Sequence, residues 1–194
     1  QRENLVNVDE PPYLKLKEEE KINHKNDLIK KYMLNSEKKI IFIHPSTGGS
    51  SKSLSVDSYV QICEGLRGFD DYNFMLHYTS EDEIIIDEII SKLSSRVRVN
   101  KLKPSNDMIN MVLNISACDI FIAGSTGPLH VAGALNKKTV GFFPSKKSST
   151  SLRWQTINSF KNRLDFTDKS SIGKHITVDY KRTILKIQKH ISSL

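Results

Sequence analysis

Five short apolar runs, KKIIFIHP, NFMLHY, RVRVN, DIFIAG and KKTVGFF, alternate with segments of helical period, and this alternation constrains the fold more than any other feature of the chain. NDLIKKYML precedes the first run, and after it Val56, Tyr59, Val60, Cys63 and Leu66 recur on one helical face with Ser55 placed to cap it. EDEIIIDEIISKL follows the second run, carrying acidic residues where a helix dipole favours them. NDMINMVLNISAC, PLHVAGAL and a closing DYKRTILKIQKHI complete the pattern. Strand and helix in strict alternation predict an α/β fold, a Rossmann-like parallel sheet with helices on both faces. The first 24 or so residues are polar, contain Pro11-Pro12 and the charge run KLKEEEK, and read as a linker.

Ligands of such sheets bind beyond the carboxyl ends of the strands, so the loops after strands are where chemistry is expected. The first, HPSTGGSSKSLS, joins a Gly48-Gly49 pair and several hydroxyls to Lys52, a combination suited to phosphate. It matches neither G-x-x-x-x-G-K-[ST] nor G-x-G-x-x-G, and the same residues also suit an ordinary solvated loop. The second, GSTGPLH, places Ser125, Thr126 and Gly127 at a strand end, with Pro128 pre-set for the first turn of the next helix. Ser125 or Thr126 is expected to cap that helix, whose unpaired N–H groups form an anion site, and His130 in its first turn is expected to be a neutral hydrogen-bond donor. The third, HYTSEDE, offers Glu81 or Glu83 to ribose hydroxyls, although acidic residues at that position also simply start helices. The fourth, FFPSKKSSTSLRW, supplies Lys146, Lys147, Arg153 and Trp154 to an anionic or ring-bearing ligand, or forms a solvated charge run.

A chain of 194 residues suits one well-filled domain, and its 29 Lys+Arg against 22 Asp+Glu, formally +7, suit an anionic partner. Nucleic acid ranks low among such partners, because the lysines are scattered without aromatic interleaving. Cys63 and Cys118 lie in apolar runs outside any C-x-x-C or His/Cys cluster, which favours buried free thiols over a zinc site. No apolar run approaches the roughly 20 residues of a membrane span, and the expectation is a soluble, cytoplasmic chain.

Taken together, IIFIHPSTGGSSKSLSVDSYVQI, ACDIFIAGSTGPLHVAGAL and TVGFFPSKKSSTSLRW resemble, in order and spacing, the C-terminal half of glycosyltransferase family 9, the lipopolysaccharide heptosyltransferases. The resemblance covers roughly residues 36 to 160, and the stretch around His130 is similar to the family signature [DS]-[ST]-G-P-x-H-x-A-x-A-L. It implies a GT-B architecture in which residues 1–35 are an inter-domain linker and leading helix, and 36–194 a Rossmann-like nucleotide-sugar-binding domain with a C-terminal helix. It further implies an inverting transferase moving a heptose or similar sugar, ADP-heptose foremost, to a lipopolysaccharide or other cell-surface glycolipid acceptor. No cofactor and no metal are expected. The catalytic base is expected in an N-terminal domain absent from this chain, and the membrane-anchored acceptor implies a peripheral position at the inner face of the cytoplasmic membrane. By resemblance, Ser46, Thr47 and Lys52 hold the diphosphate, Ser125, Thr126, Gly127 and His130 complete its site, and Glu81 or Glu83 takes the ribose. Two positions depart from the family: Ser125 stands where many members carry an acidic residue, and Ser53-Leu54 replaces an aromatic residue soon after the lysine. Losing a carboxylate at the sugar end removes a hydroxyl acceptor and points toward a different sugar. A GT-B sugar-nucleotide epimerase domain and a non-catalytic nucleotide-binding domain are the alternative readings.

Overall fold

The computed structural model describes residues 10–45, 52–66, 72–104, 107–146, 150–170 and 173–192. Its centre is one six-stranded sheet, every pairing parallel: β1 (Lys39–His44), β2 (Tyr72–Leu76), β3 (Val99–Lys101), β4 (Ile120–Gly124), β5 (Lys138–Phe143) and β6 (Arg163–Thr167). The strand order is β3-β2-β1-β4-β5-β6, the doubly wound order whose direction reverses between β1 and β4. The helices are α1 (Glu18–Lys31), α2 (Val56–Leu66), α3 (Glu83–Lys92), α4 (Met108–Ala117), α5 (Gly127–Ala134), α6 (Ser151–Trp154) and α7 (Tyr180–Ser192).

The period of two within each strand divides the core into two layers. Ile41 and Ile43 of β1, Ile120 and Ile122 of β4, and Val140 and Phe142 of β5 point to the face that meets Tyr59, Ile62 and Leu66 of α2, Ile86 and Ile89 of α3, and Ile187 and Ile191 of α7. Ile40 and Phe42, Phe121 and Ala123, and Phe143 point the other way, toward Leu28 of α1, Ile115 of α4, and Leu129 and Ala132 of α5. Strands buried on both faces must be apolar along their whole length, which is why they appear in the sequence as continuous runs.

Three elements differ from the reading of the sequence. Helix α1 begins at Glu18, inside the charge run read as linker: Glu18, Glu19 and Glu20 occupy its first turn and Lys30 and Lys31 its last, so those charges complement the helix dipole. Leu28 is buried beneath it, and Lys25 reaches the Asp119 carboxylate at 3.3 Å. RVRVN narrows to a three-residue edge strand starting at Val99. The sixth strand, RLDFT, was not anticipated, because only Leu164 and Phe166 are apolar and they cover one face of an edge. Phe166 stacks on Phe142 with ring centroids 5.2 Å apart.

Capping follows local chemistry elsewhere. The Asp107 carboxylate accepts from the N–H groups of Ile109 (3.2 Å) and Asn110 (3.1 Å) at the start of α4, and Ser55 Oγ accepts from Ser58 N–H (3.2 Å) at the start of α2. Gly133 is required by close approach, since a Cβ there would lie 2.6 Å from the Thr156 Cβ. The constraint comes from the segment following α6 rather than from the sheet.

Candidate functional site

The register pairs His44 at the end of β1 with Ala123 near the end of β4, so the loops leaving these strands start side by side at the point where the winding reverses. The first loop carries Ser46 and Thr47, and both lie outside the described residues. The second runs from Gly124 into α5, with Thr126 in extended conformation (φ −131°, ψ 160°) as the residue before the helix.

Contrary to expectation, neither hydroxyl caps α5. Thr126 makes no side-chain capping bond, and its Oγ1 is buried without a hydrogen-bond partner. Pro128 accounts for part of this, because a capping hydroxyl bonds the second or third N–H of the helix and proline has none. The first-turn N–H groups of Gly127 and Leu129 therefore have no acceptor within the helix. Among the described residues the space in front of them is open: a Cβ on the exposed Gly127 would meet no atom of those residues within 4 Å. Donors, a positive helix end and an open approach converge there, an arrangement suited to an anion.

His130 sits one turn along. Its ring is partly buried, which lowers its pKa by desolvation and keeps it neutral. It makes a T-shaped contact with the Trp154 ring, with centroids 6.3 Å apart and planes at 63°. Trp154 is 46% exposed, much of its indole being open to solvent.

Lys52 is held away from an open cationic role. Its ammonium pairs with the Asp168 carboxylate just past β6 and donates to the Ser170 carbonyl (2.8 Å). Asp168 Oδ1 in turn accepts from Thr177 N–H (2.8 Å), Thr177 Oγ1 (2.8 Å) and Ser170 N–H (3.1 Å). Burial opposes the Asp168 charge, but these bonds outweigh it and hold the carboxyl below its usual range. The anchor ties the β1–α2 connection to the β6–α7 connection, as does the hydrogen bond from Ile176 N–H to the Ser53 carbonyl (2.8 Å).

Of the two ribose candidates, Glu83 faces Lys101 Nζ at 3.1 Å, an ammonium shared with Asp87 at 2.7 Å. Glu81 stays exposed on the 3-10 turn that follows β2. In the fourth loop Lys146 and Arg153 are exposed, and Lys147 lies outside the described residues.

Sequence reasoning passed over four residues here. His44 and His77, at the ends of β1 and β2, are buried together with their Nδ1 atoms 3.0 Å apart. His44 Nδ1 lies 2.8 Å from the His77 carbonyl, so an Nδ1–H on His44 satisfies both neighbours at once. Burial lowers both pKa values, and for His77 the neighbouring His44 adds to the effect. This neutral pair, packed against Phe42 and Phe121, forms a buried floor at the carboxyl ends of β1 and β2. Both histidines are visible in HP and HY at strand ends, but their pairing needs the sheet register. Asp168 and Ser145 carried no sequence signal. Among the described residues, no group of three His, Cys, Asp or Glu side chains is placed to hold a metal ion.

Residues 3–171 match the sequence model of glycosyltransferase family 9 (heptosyltransferase). The chain belongs to that family. It is 33% identical over 168 residues to a Haemophilus influenzae protein named as a glycosyltransferase by inference, covering 86% of this chain and 48% of that protein. It is 27% identical over 147 residues to lipooligosaccharide heptosyltransferase 2 of Campylobacter jejuni, covering 75% and 44%. The structure of E. coli ADP-heptose LPS heptosyltransferase II superposes with a TM-score of 0.71 at 20% identity, over 96% of this chain and 56% of that one. E. coli heptosyltransferase WaaC with ADP gives a TM-score of 0.62 at 10% identity, over 84% and 48%. These likenesses establish the Rossmann-like α/β fold of family 9, and the chain spans about half the length of the curated relatives it matches.

Proposed function

We propose that this chain is the C-terminal, donor-binding domain of an inverting glycosyltransferase. It would hold a nucleoside-diphosphate sugar, of the ADP-heptose type, while a sugar passes to a lipopolysaccharide or related cell-surface glycan. One observation carries the reading: GSTGPLH lies at the reversal point, with the amino end of α5 unobstructed by the described residues and a buried Thr126 hydroxyl unpartnered beside it.

The chemistry asked of this domain is electrostatic. As the bond from sugar to diphosphate breaks, negative charge grows on the departing oxygen. Fixed N–H dipoles at Gly127 and Leu129 stabilise that charge more than they stabilise the ground state. His130, kept neutral, adds a donor without placing a second cation against the helix end. Lys52 supplies charge from an anchored position, its field partly cancelled by Asp168. The base that activates the acceptor is assigned to the other domain of the protein, and Glu81 to the ribose. No cofactor or metal is assigned.

For an acceptor anchored in a membrane, α7 turns Lys181, Arg182, Lys186 and Lys189 outward on one exposed face, which suits acidic headgroups at the cytoplasmic leaflet. No helix among the described residues is long and apolar enough to cross a membrane.

The test is calorimetric titration of the full-length protein with ADP, UDP, GDP and CMP. The expected result is binding of one nucleoside diphosphate, weakened by Gly127→Ala. Binding of none of them, by a protein shown to be folded, would overturn the reading.

A further inference from the structure

The order of strands at the reversal point lays out a ligand. Glu81 follows β2, the carboxyl end of β1 and the amino end of α5 occupy the centre, and Ser145 and Trp154 follow β5. From β2 through β1 and β4 to β5 is three strand spacings, about 14 Å. That length accommodates an extended molecule with a ribose at one end, a diphosphate in the middle and a pyranose at the other. The central positions already face the phosphates in the proposed reading, which leaves the β5 side without an assigned role.

Two observations on that side point to a ligand. Ser145 Oγ is buried and has no hydrogen-bond partner. It lies just beyond β5, beside Thr126 beyond β4, because the register pairs Gly124 with Phe142. Two orphaned hydroxyls on neighbouring strand ends are costly unless something bonds to them. The second observation is Trp154. An indole serving only to fill the core would be covered, whereas this one is 46% exposed and is in T-shaped contact with His130 of the α5 first turn. Leu152 on the same short helix is also exposed, at 85%.

We infer that Ser145, just past β5, and Trp154, in α6, read the sugar, with Trp154 offering an aromatic surface to the C–H face of a pyranose ring and Ser145 a hydroxyl to its rim. The inference rests on the donor-binding reading. A pyranose presents one face of C–H groups and a rim of hydroxyls; a half-open indole in contact with His130 suits the first, and an unpartnered Oγ at the end of β5 suits the second.

The experiment compares, in the full-length protein, the affinity for the nucleoside diphosphate with that for its sugar-bearing form. Trp154→Ala is expected to leave the diphosphate affinity within about twofold and to lower the nucleotide-sugar affinity about tenfold, with Trp154→Phe restoring most of it. Ser145→Ala removes a buried hydroxyl that bonds to nothing, so it is expected to fold as well as the parent and to lose a smaller part of the same preference. A raised acceptor KM in Trp154→Ala with donor affinity kept would place the indole against the acceptor and overturn the inference. Equal loss for the diphosphate and its sugar form, or no change in any of the three quantities, would overturn the inference. Failure of the parent protein to bind any nucleoside diphosphate would overturn the donor-binding reading instead.

Discussion

The two ends of β5 are built from the same kinds of residue and treat them in opposite ways. At the amino end, Asn158 Nδ2 donates to the Lys137 carbonyl (2.8 Å), Thr139 Oγ1 (3.0 Å) and the Asn162 carbonyl (2.9 Å), while its Oδ1 accepts from Thr156 Oγ1 (2.7 Å). Asn136 Oδ1 accepts from Ser159 N–H (3.0 Å) and Ser159 Oγ (2.9 Å) nearby. At the carboxyl end, Thr126 Oγ1 and Ser145 Oγ are equally buried and bond to nothing. A buried polar group that is saturated holds structure together, and one left open at a strand end is available to a ligand. Lys52 crosses this division, since the sequence assigns it to phosphate and the fold anchors it to Asp168.

Lys52 is therefore where the comparison is broken most forcefully. Lys52→Ala leaves Asp168 buried and unpaired, and urea denaturation should show a loss of about 3 kcal/mol. The double variant Lys52→Met with Asp168→Asn removes both charges and should recover most of it. If that variant folds well but loses nucleotide affinity, Lys52 serves the ligand, and retained affinity would assign it to structure alone. Asn158→Ala strips partners from Thr139 and Thr156 together and is expected to cost about 2 to 3 kcal/mol with nucleotide affinity unchanged. Gly127→Ala sharpens the other side of the contrast. Its Cβ meets no atom of the described residues within 4 Å, so stability should hold or rise by a few tenths of a kcal/mol, while turnover falls about 100-fold as the methyl blocks close approach of the anion.

Acid should act through the floor of the site. His44 and His77 are neutral in the fold because burial disfavours the imidazolium, whereas an unfolded histidine titrates near 6.5. Below about pH 6.5 the unfolded chain binds protons that the fold refuses. The stability present above that pH is then lost as pH falls, by up to about 1.4 kcal/mol per pH unit for each histidine. Melts at pH 7 and pH 5 measure it, and a flat profile would place the rings in water. The smallest expected signal is from the thiols. Burial raises Cys63 and Cys118 to about 12, so neither should react with a thiol reagent until the chain unfolds.

Much of this was legible in the chain itself. Runs such as KKIIFIHP and DIFIAG must be strands buried on both faces, the helices between them are amphipathic, and GSTGPLH carries its family signature in contiguous residues. Local spacing encodes those features, so α/β class, helix faces and the amino end of α5 follow without coordinates. What required tertiary structure is whatever joins residues distant in sequence: the β3-β2-β1-β4-β5-β6 order, the His44–His77 pair, the half-buried β6, and Asp168 on Lys52 across 116 positions. The failed cap at Thr126 belongs to the same group. Propensity states which side chains are able to satisfy a helix end, but only the packed neighbourhood decides whether a given hydroxyl does so or stays buried and open beside the site.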